Sequence, residues 1–177
     1  TSPGFWTRWP WELSPCVRLA EQLKERKPRI IRGNASEIMA LAGYSSVTKG
    51  PESTSSSADA LQAARELALH TGAAVLVTGR TDYSTDGRQV ISTENGHAMM
   101  SRVTGVGCSM GALAAACAAV SSSPLQAAVS TAVLMGIAGE MAFEQSPAPG
   151  SFAVSLLDSL YSLSPEEVAR RARILPF

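Results

Sequence analysis

Hydrophobic and polar residues follow two patterns along this chain, one typical of amphipathic helices and one typical of buried strands. Apolar residues spaced three and four positions apart predict helices over residues 18–27, 34–43, 58–72, 106–120, 124–145, 150–163 and 164–173. Short runs of consecutive apolar residues predict strands over 28–33 and 73–79. Helices that alternate with buried strands are typical of a three-layer α/β fold. That is the fold class that the pattern predicts.

Capping signals set the ends of several of these helices. Asn34 is a predicted N-cap, and Glu37 follows three residues later as the partner in a capping box. Gly43 is placed to end the same helix. Near the end of the chain, Ser164 is a predicted N-cap and Pro165 occupies the first helical position.

Residues 81–103 have a β-pattern instead. Turn signals at Asp86-Gly87 and Asn95-Gly96 flank residues that favour strands, which predicts a hairpin or a strand meander. This segment interrupts the alternation of helices and buried strands.

Composition narrows the class of protein. The chain has 177 residues, which suits one domain, and 15 basic residues balance 15 acidic ones without a block of either sign. This balance disfavours a nucleic-acid or membrane-surface partner. No apolar run is free of interruption by Gly, Ser or charge over the length that a bilayer requires. The three cysteines are too few for a disulfide framework, which favours a reducing, cytoplasmic compartment.

The feature with the clearest chemistry is the glycine-rich turn that leads into the Ala-rich helix. Gly105 and Gly107 allow the backbone to turn tightly and to approach a ligand closely. The helix then offers free N–H groups and the positive end of its dipole, which suit a phosphate. Cys108 lies in the first turn, where the dipole favours the thiolate. The alternative is that the glycines only allow close helix packing and that Cys108 is a small buried residue.

Three stretches, taken in order and spacing, resemble the hydroxyethylthiazole kinase family: "RGNASEIMALAG", "VLVTGRTDYSTDG" and "VTGVGCSMGALAAACAA". The resemblance extends from about Lys27 to the C-terminal helices. It implies a ribokinase-like fold with a central, mostly parallel sheet. It also implies ATP-dependent phosphorylation of the hydroxyethyl group of 4-methyl-5-(2-hydroxyethyl)thiazole in thiamine salvage, with Mg²⁺ and with ATP as co-substrate.

The resemblance assigns roles to residues on the first predicted strand and helix. Arg32 matches the position where the family contacts ATP phosphates, and the alternative is a surface ion pair. Asn34 and Glu37 match an N-x-x-E signature that organises phosphate and the water shell of Mg²⁺, which takes few direct carboxylates. The capping box is the structural alternative for both residues, and the two roles are compatible.

Further roles fall on the second strand and on the glycine-rich turn. Thr78 matches an ATP-contacting threonine, beside backbone amides near Gly79 that can donate to phosphate; a plain strand-end threonine is the alternative. Gly105 matches the glycine that lines the pocket of the thiazole alcohol. Cys108 occupies the position where most ribokinase-like enzymes place an aspartate base. Three residues are interpreted as turn residues first and ligand contacts second: Asp82, Tyr83 and Asp86.

The segment "WTRWPWEL", Trp6 to Leu13, matches nothing in the family. The family has there a strand ending in Asp-Pro-Val, followed by Gly-Ala. When the reading start is moved back by one base, permissible codons for the eight residues read L-D-P-V-A-V-G-A. We therefore interpret residues 1–17 as aberrant or non-homologous, with an out-of-frame translation over about 3–17, and residues 18–177 as the C-terminal part of one kinase domain. Codons that cannot yield Asp-Pro-Val would contradict this.

Several functional hypotheses stay open at this stage. The first is a thiazole-alcohol kinase represented by an N-terminally truncated fragment that is marginally stable and weakly active. The second is an inactive remnant with part of the nucleotide site. A third is an interaction protein with a Trp-rich arm, and a fourth is a ribokinase-like enzyme for another alcohol. The family resemblance further implies a homotrimer for the complete protein.

Overall fold

The computed structural model describes residues 19, 22–44 and 57–176, so the Trp-rich segment and the proposed 1–17 unit lie outside the described residues. Within these ranges the strands are β1 (Ile30–Asn34), β2 (Ala74–Thr78), β3 (Asp82–Thr85), β4 (Val90–Thr93) and β5 (Ile174–Pro176). The helices are α1 (Ala35–Leu41), α2 (Ser57–Thr71), α3 (Val106–Val120), α4 (Pro124–Gln145), α5 (Pro149–Ser162) and α6 (Pro165–Arg171). A 3₁₀ helix spans Ala98–Arg102. Residues 22–25 are also helical.

The five strands form one sheet in the order β1-β2-β3-β4-β5. Only β1 and β2 are parallel, and the other three neighbouring pairs are antiparallel. The sheet of the described residues is therefore mixed, which corrects the expectation of a mostly parallel sheet. The reason is local: the connections from β2 to β3 and from β3 to β4 are too short for a parallel crossover, which needs a dozen or more residues.

Helices cover both faces of this sheet, which confirms the predicted α/β class. On one face, α1 and α2 pack on β1 and β2 around a buried cluster: Ile31, Ile38, Ala60, Ala64, Leu67, Ala68, Ala73, Val75 and Val77. On the other face, α3, α4 and α5 form a second cluster: Ala74, Leu76, Met110, Ala128, Ala132, Met135, Ala138, Ala142, Phe152 and Leu156. Buried strand residues point alternately to the two faces, as the two-residue period of a strand requires.

Helix α4 lies at the centre of the second layer. It contacts α3 and α5 and also reaches four strands of the sheet. Its 22 residues are long and apolar enough to cross a membrane by length and composition, although the sequence pattern indicated no such run. In this fold 61% of its most apolar stretch of 18 residues is buried against protein, which is typical of a core helix.

The predicted helix ends agree well with the structure. The Asn34 side chain accepts the Glu37 amide at 2.9 Å, and the Glu37 carboxylate accepts the Asn34 amide at 2.8 Å, so the capping box is formed in both directions. After α1, Gly43 adopts a φ of +86°, which is favourable for glycine. The Ser164 hydroxyl caps α6, and Pro165 is its first residue.

The second turn signal and the chain end differ from the prediction. Asp86-Gly87 does turn β3 into β4, whereas Asn95-Gly96 leads into the 3₁₀ helix instead of another hairpin. Asn95 binds the C-terminal region: its Nδ2 donates to the Arg171 carbonyl at 2.9 Å, and its Oδ1 accepts the Arg173 amide at 2.8 Å. These bonds place β5 beside β4, and the sequence did not predict this strand.

A strand edge and a helix face stay open in the described part of the chain. One edge of β1 has no strand partner among the described residues. Helix α3 exposes a row of small side chains, with Ala112, Ala115, Ala116 and Ala119 among its exposed residues, and Val120 is 87% exposed. The marginal stability that the sequence analysis expects of a truncated fragment stays a prediction.

Candidate functional site

Candidate site residues converge where β1 and β2 end. In the parallel register Arg32 is opposite Leu76, and Asn34 is opposite Thr78. Because neighbours in register point to the same face of a sheet, Arg32 and Thr78 both point to the face that α3 and α4 cover. The carboxyl ends of strands in an open α/β sheet are the usual place for a ligand.

Arg32 lies against the first turns of α3. Its Nη1 is 3.8 Å from the sulfur of Met110, and a Cβ built on Gly107 would be 3.5 Å from its Nη2. The side chain is half-buried and makes no ion pair among the described residues, so the surface ion pair considered as an alternative is not present there. A guanidinium has five N–H donors. A thioether sulfur is only a weak acceptor, so most of the binding capacity of Arg32 remains for an anion.

The glycine-rich turn presents the amide end of α3 beside this guanidinium. Gly105 is the N-cap with a φ of +97°, a left-handed conformation that favours glycine. The first helical bond joins the Ser109 amide to the Gly105 carbonyl at 2.9 Å. The preceding amides, those of Val106, Gly107 and Cys108, therefore have no acceptor within the helix.

The two cysteines of α3 have opposite environments. Cys108 is exposed at the start of the helix, whereas Cys117 is buried, and neither forms a disulfide. The two thiols do not act as a pair. The exposure of Cys108 also removes the alternative in which Cys108 is a small buried residue. The thiol is accessible to a ligand bound at the amide end of α3.

Asn34 and Glu37 lie at the same edge of the sheet but are already engaged. The Asn34 Oδ1 accepts from both the Glu37 amide and the Ser36 hydroxyl, the latter at 2.7 Å. Glu37 uses Oε2 for the capping box, and its other oxygen makes no hydrogen bond to the described residues. No group of three or more His, Cys, Asp or Glu residues that could hold a metal occurs in the described ranges. A single carboxylate fits Mg²⁺, which keeps several waters and binds through substrate phosphates.

The loop after β2 uses its polar groups internally. The Thr78 hydroxyl donates to the Gly33 carbonyl at 3.3 Å. The Gly79 amide donates to Oδ1 of Asp82 at 2.9 Å. The sequence suggests that amides near Gly79 donate to phosphate, but the Gly79 N–H is already engaged with Asp82. Thr78 would have to rotate its hydroxyl away from the Gly33 carbonyl to donate to a ligand.

Asp82 is the site residue that the sequence undervalued. The sequence indicates turn residues at Asp82, Tyr83 and Asp86, yet Asp82 is the first residue of β3 and Tyr83 the second. Of these three, Asp86 alone lies in the turn. The antiparallel register pairs Ser84 with Leu76, so Asp82, two residues earlier, lies on the same face as Arg32. Burial raises the pKa of Asp82 from 3.8 to about 6, although the Gly79 N–H and the charge of Arg32 both oppose the rise.

This raised pKa predicts that Asp82→Asn stabilises the protein above pH 7. A carboxyl group whose pKa is higher in the folded state binds its proton more tightly there, so folding stability falls as pH rises from about 4 to about 6. We expect Asp82→Asn to raise the free energy of unfolding by about 1–2 kcal/mol at pH 8. This is less than the full pKa shift would give, because solvent reaches the half-buried carboxyl group and screens its charge. The gain should vanish at pH 3.5, and urea unfolding at both pH values measures it.

Asp86→Asn is the matched control with the opposite sign. Despite partial burial, the Asp86 pKa is lowered because its carboxylate accepts the amides of Gln89 and Arg88. Its charge therefore stabilises the fold above its unfolded pKa, and that contribution is lost as pH falls. Asp86→Asn should destabilise the protein at pH 8. If both variants change stability in the same direction, the assignment of the two environments is wrong.

The chain is thus an α/β protein in which a guanidinium, a helix amide end and a strand-end threonine lie at one edge of the sheet, an arrangement that suits a phosphate. Comparison with known families is more specific. The model of the hydroxyethylthiazole kinase family, HK, matches residues 16–166. The chain belongs to the hydroxyethylthiazole kinase family.

Individual relatives agree with this assignment. The chain is 85% identical over 174 residues to a protein of Akkermansia muciniphila named hydroxyethylthiazole kinase, with 94% of this chain and 64% of that protein covered. A protein of the same name from Granulibacter bethesdensis is 51% identical over 161 residues, covering 90% and 59% of the two chains. The structure of the hydroxyethylthiazole kinase protein from Pyrococcus horikoshii OT3 superposes with a TM-score of 0.80 at 34% identity, covering 91% of this chain and 59% of that one. The chain thus spans less than two thirds of the length of these relatives.

Proposed function

We propose that this chain carries the nucleotide-binding part of an enzyme that transfers phosphate from ATP to 4-methyl-5-(2-hydroxyethyl)thiazole, a step of thiamine salvage. The observation that carries the proposal is the position of Arg32, half-buried without an ion pair among the described residues, beside the free amides at the start of α3. The names of the relatives support the choice of the thiazole alcohol as acceptor.

Each residue then has a distinct task. Arg32 binds phosphate oxygens with its planar fork of donors. The amides of Val106, Gly107 and Cys108 donate to the phosphoryl group that is transferred. Phosphoryl transfer through a loose transition state depends on alignment and on charge stabilisation more than on covalent help. Gly105, open on its Cβ side, leaves room for the alcohol.

The remaining residues complete the nucleotide site. Thr78 contacts ATP after its hydroxyl turns from the Gly33 carbonyl, and the Asn34 amide group donates to phosphate while its oxygen caps α1. Glu37 would hold Mg²⁺ through its free carboxylate oxygen and the water shell of the metal. When bound, the metal neutralises phosphate charge.

We also propose that the complete protein is a cytoplasmic homotrimer whose small-molecule partners are ATP and the thiazole alcohol, with neither nucleic acid nor a membrane as a partner. The two free cysteines described in α3 support a reducing compartment. The exposed small residues of α3 offer a face for another subunit or for the remaining part of the complete protein.

The direct test is isotope transfer from γ-labelled ATP to the thiazole alcohol. The chain is assayed beside its Akkermansia muciniphila relative, with nucleotide affinity measured on the same samples. Transfer by the chain supports the proposal. Nucleotide binding without transfer indicates an inactive remnant, and the absence of both in this chain overturns the proposal.

We further propose that Cys108 is the general base for the alcohol, as the family resemblance implies, and Cys108→Ala tests this role. If a Cys108 thiolate takes the proton of the alcohol and becomes the thiol, the variant should lose roughly 100-fold in turnover, the size expected for a general base. Its affinity for ATP should change less than turnover, because the amides and Arg32 are intact. Cys117→Ala, a buried cysteine on the same helix, should keep its turnover. Unchanged turnover in Cys108→Ala would remove the thiol from the mechanism.

A further inference from the structure

Arg32 and Asp82 bear opposite charges on one face of the sheet, two strands apart. Arg32 is level with Leu76 on β2, and Asp82 lies two residues before the Leu76 partner Ser84. Two strand spacings and an offset of two residues along the strand separate the two backbones by roughly 12 Å, a gap that a long arginine side chain can narrow. Arg32 is close enough for its charge to act on the carboxyl group of Asp82.

Neither charge is neutralised by a closer group. Arg32 has the Met110 sulfur at 3.8 Å as its hydrogen-bond acceptor in the described chain. Asp82 accepts the Gly79 amide at 2.9 Å. Thr93 stands directly opposite Asp82 in the strand register, and its hydroxyl is buried with no hydrogen-bond partner among the described residues. The Asp82 carboxylate is half-buried, and the positive charge of Arg32 acts on it.

We propose that Asp82 is the internal counter-ion of Arg32 and competes with the nucleotide phosphates for the guanidinium. This inference rests on the proposed function, because it takes Arg32 as a phosphate-binding residue. Asp82 is then a positioning residue that acts through Arg32, and it touches neither the nucleotide nor the alcohol.

The proposed competition predicts the direction in which Asp82 changes the affinity for nucleotide. Without nucleotide, the ionised carboxylate attracts the guanidinium toward β3 and keeps it in the site. When phosphates arrive, their negative charge repels the half-buried carboxylate of Asp82, because charges near a protein surface are screened less than charges in water. Ionised Asp82 therefore weakens the binding of nucleotide and favours the release of ADP. A residue that only supported the loop would have the opposite effect, because its loss would loosen the site.

The experiment measures the dissociation constant of Mg-ADP at pH 8 and low ionic strength by calorimetry. Asp82→Asn keeps an oxygen that can accept the Gly79 amide and removes only the charge. We expect it to tighten binding by roughly threefold to tenfold, the size of one poorly screened charge. Asp86→Asn, the same substitution in the turn at the far end of β3, should leave the constant unchanged. In an Arg32→Gln background, Asp82→Asn should change binding by less than a factor of about two.

Binding that is unchanged or weaker in Asp82→Asn would overturn the proposal, as would equal tightening with and without Arg32. A second measurement needs no nucleotide. The pKa of the Asp82 carboxyl, followed by NMR, should rise in Arg32→Gln, because the opposite charge is gone. An unchanged pKa would also overturn the proposal. If the wild-type chain binds no Mg-ADP while this pKa rises, the proposed function fails and the counter-ion pair stands.

Discussion

Arg32→Gln should reduce the affinity for ATP more than any other single change in the site. The variant keeps a polar side chain of similar length but removes the charge and the fork of donors that phosphate requires. Hydrogen bonds to charged groups contribute about 1.5–3 kcal/mol, so we expect a loss of roughly 10-fold to 100-fold in affinity. The measurement is nucleotide titration of the wild-type and variant chains, followed by the rate of phosphate transfer.

Arg29→Gln is the matched control for this prediction. Arg29 precedes the same strand, and its Nη2 donates to the Ser121 carbonyl at 3.2 Å, at the other end of α3. The substitution removes the same charge and leaves the proposed site intact. The affinity for ATP should therefore change by no more than a factor of about two, which allows for the weak, screened attraction between a distant arginine and the nucleotide. Arg32→Lys separates charge from geometry: the ammonium keeps the charge and cannot form the bidentate contact. Equal losses in Arg29→Gln and Arg32→Gln would indicate a general charge effect instead of a site.

Local signals predicted the helices of this fold well because the interactions that set helix ends are short-range. The two residues of the capping box, Asn34 and Glu37, are three positions apart in the sequence. Gly43 follows the end of the helix that this capping box starts. The bounds of α4 also agree with the prediction, because Ser123 and Pro124 mark its start and the apolar pattern is continuous to its end.

The sheet was less accessible to prediction because its order depends on contacts between distant segments. Strand β5 has three exposed residues and no buried pattern, so nothing in its own sequence indicates a strand. It is held beside β4 by the bonds from Asn95 to Arg171 and Arg173, whose partners are more than 70 positions apart. Sequence spacing does not encode such pairs.

The same limit explains what was missed at the site. Thr78 could be placed at the end of β2 and Arg32 near the end of β1 because each lies in or beside a recognisable apolar run. The importance of Asp82 depends on the register of the β2–β3 hairpin, which places it on the Arg32 face. The sequence did contain one indication of this register. Only residues 79–81 connect β2 to β3, and so short a connection places the start of β3 beside the end of β2. The raised pKa depends on burial, which no local pattern gives.

The second large effect concerns stability, at the contact between α4 and the segment that follows β4. A Cβ added to Gly136 would lie 2.6 Å from the Cβ of Asn95 and 2.7 Å from its backbone carbonyl. Asn95 cannot move aside without cost, because its side chain binds Arg171, Arg173 and, at 3.2 Å, Glu140. We therefore expect Gly136→Ala to lower the free energy of unfolding by roughly 2–3 kcal/mol, as overpacking does in a closely packed core. Urea unfolding of the 177-residue chain measures it.

Two glycines on helices serve as controls with graded outcomes. A Cβ at Gly139 would overlap the end of the Met100 side chain, which is flexible and can yield, so Gly139→Ala should cost less than about 1 kcal/mol. Gly111 on α3 has nothing within 4 Å of such a Cβ, so Gly111→Ala should gain about 0.5–1 kcal/mol from helix propensity alone. The expected order of stability is Gly111→Ala, wild type, Gly139→Ala, Gly136→Ala. If Gly136→Ala is as stable as Gly139→Ala, Asn95 yields freely, and the bonds that join β5 to the sheet do not hold that segment in place.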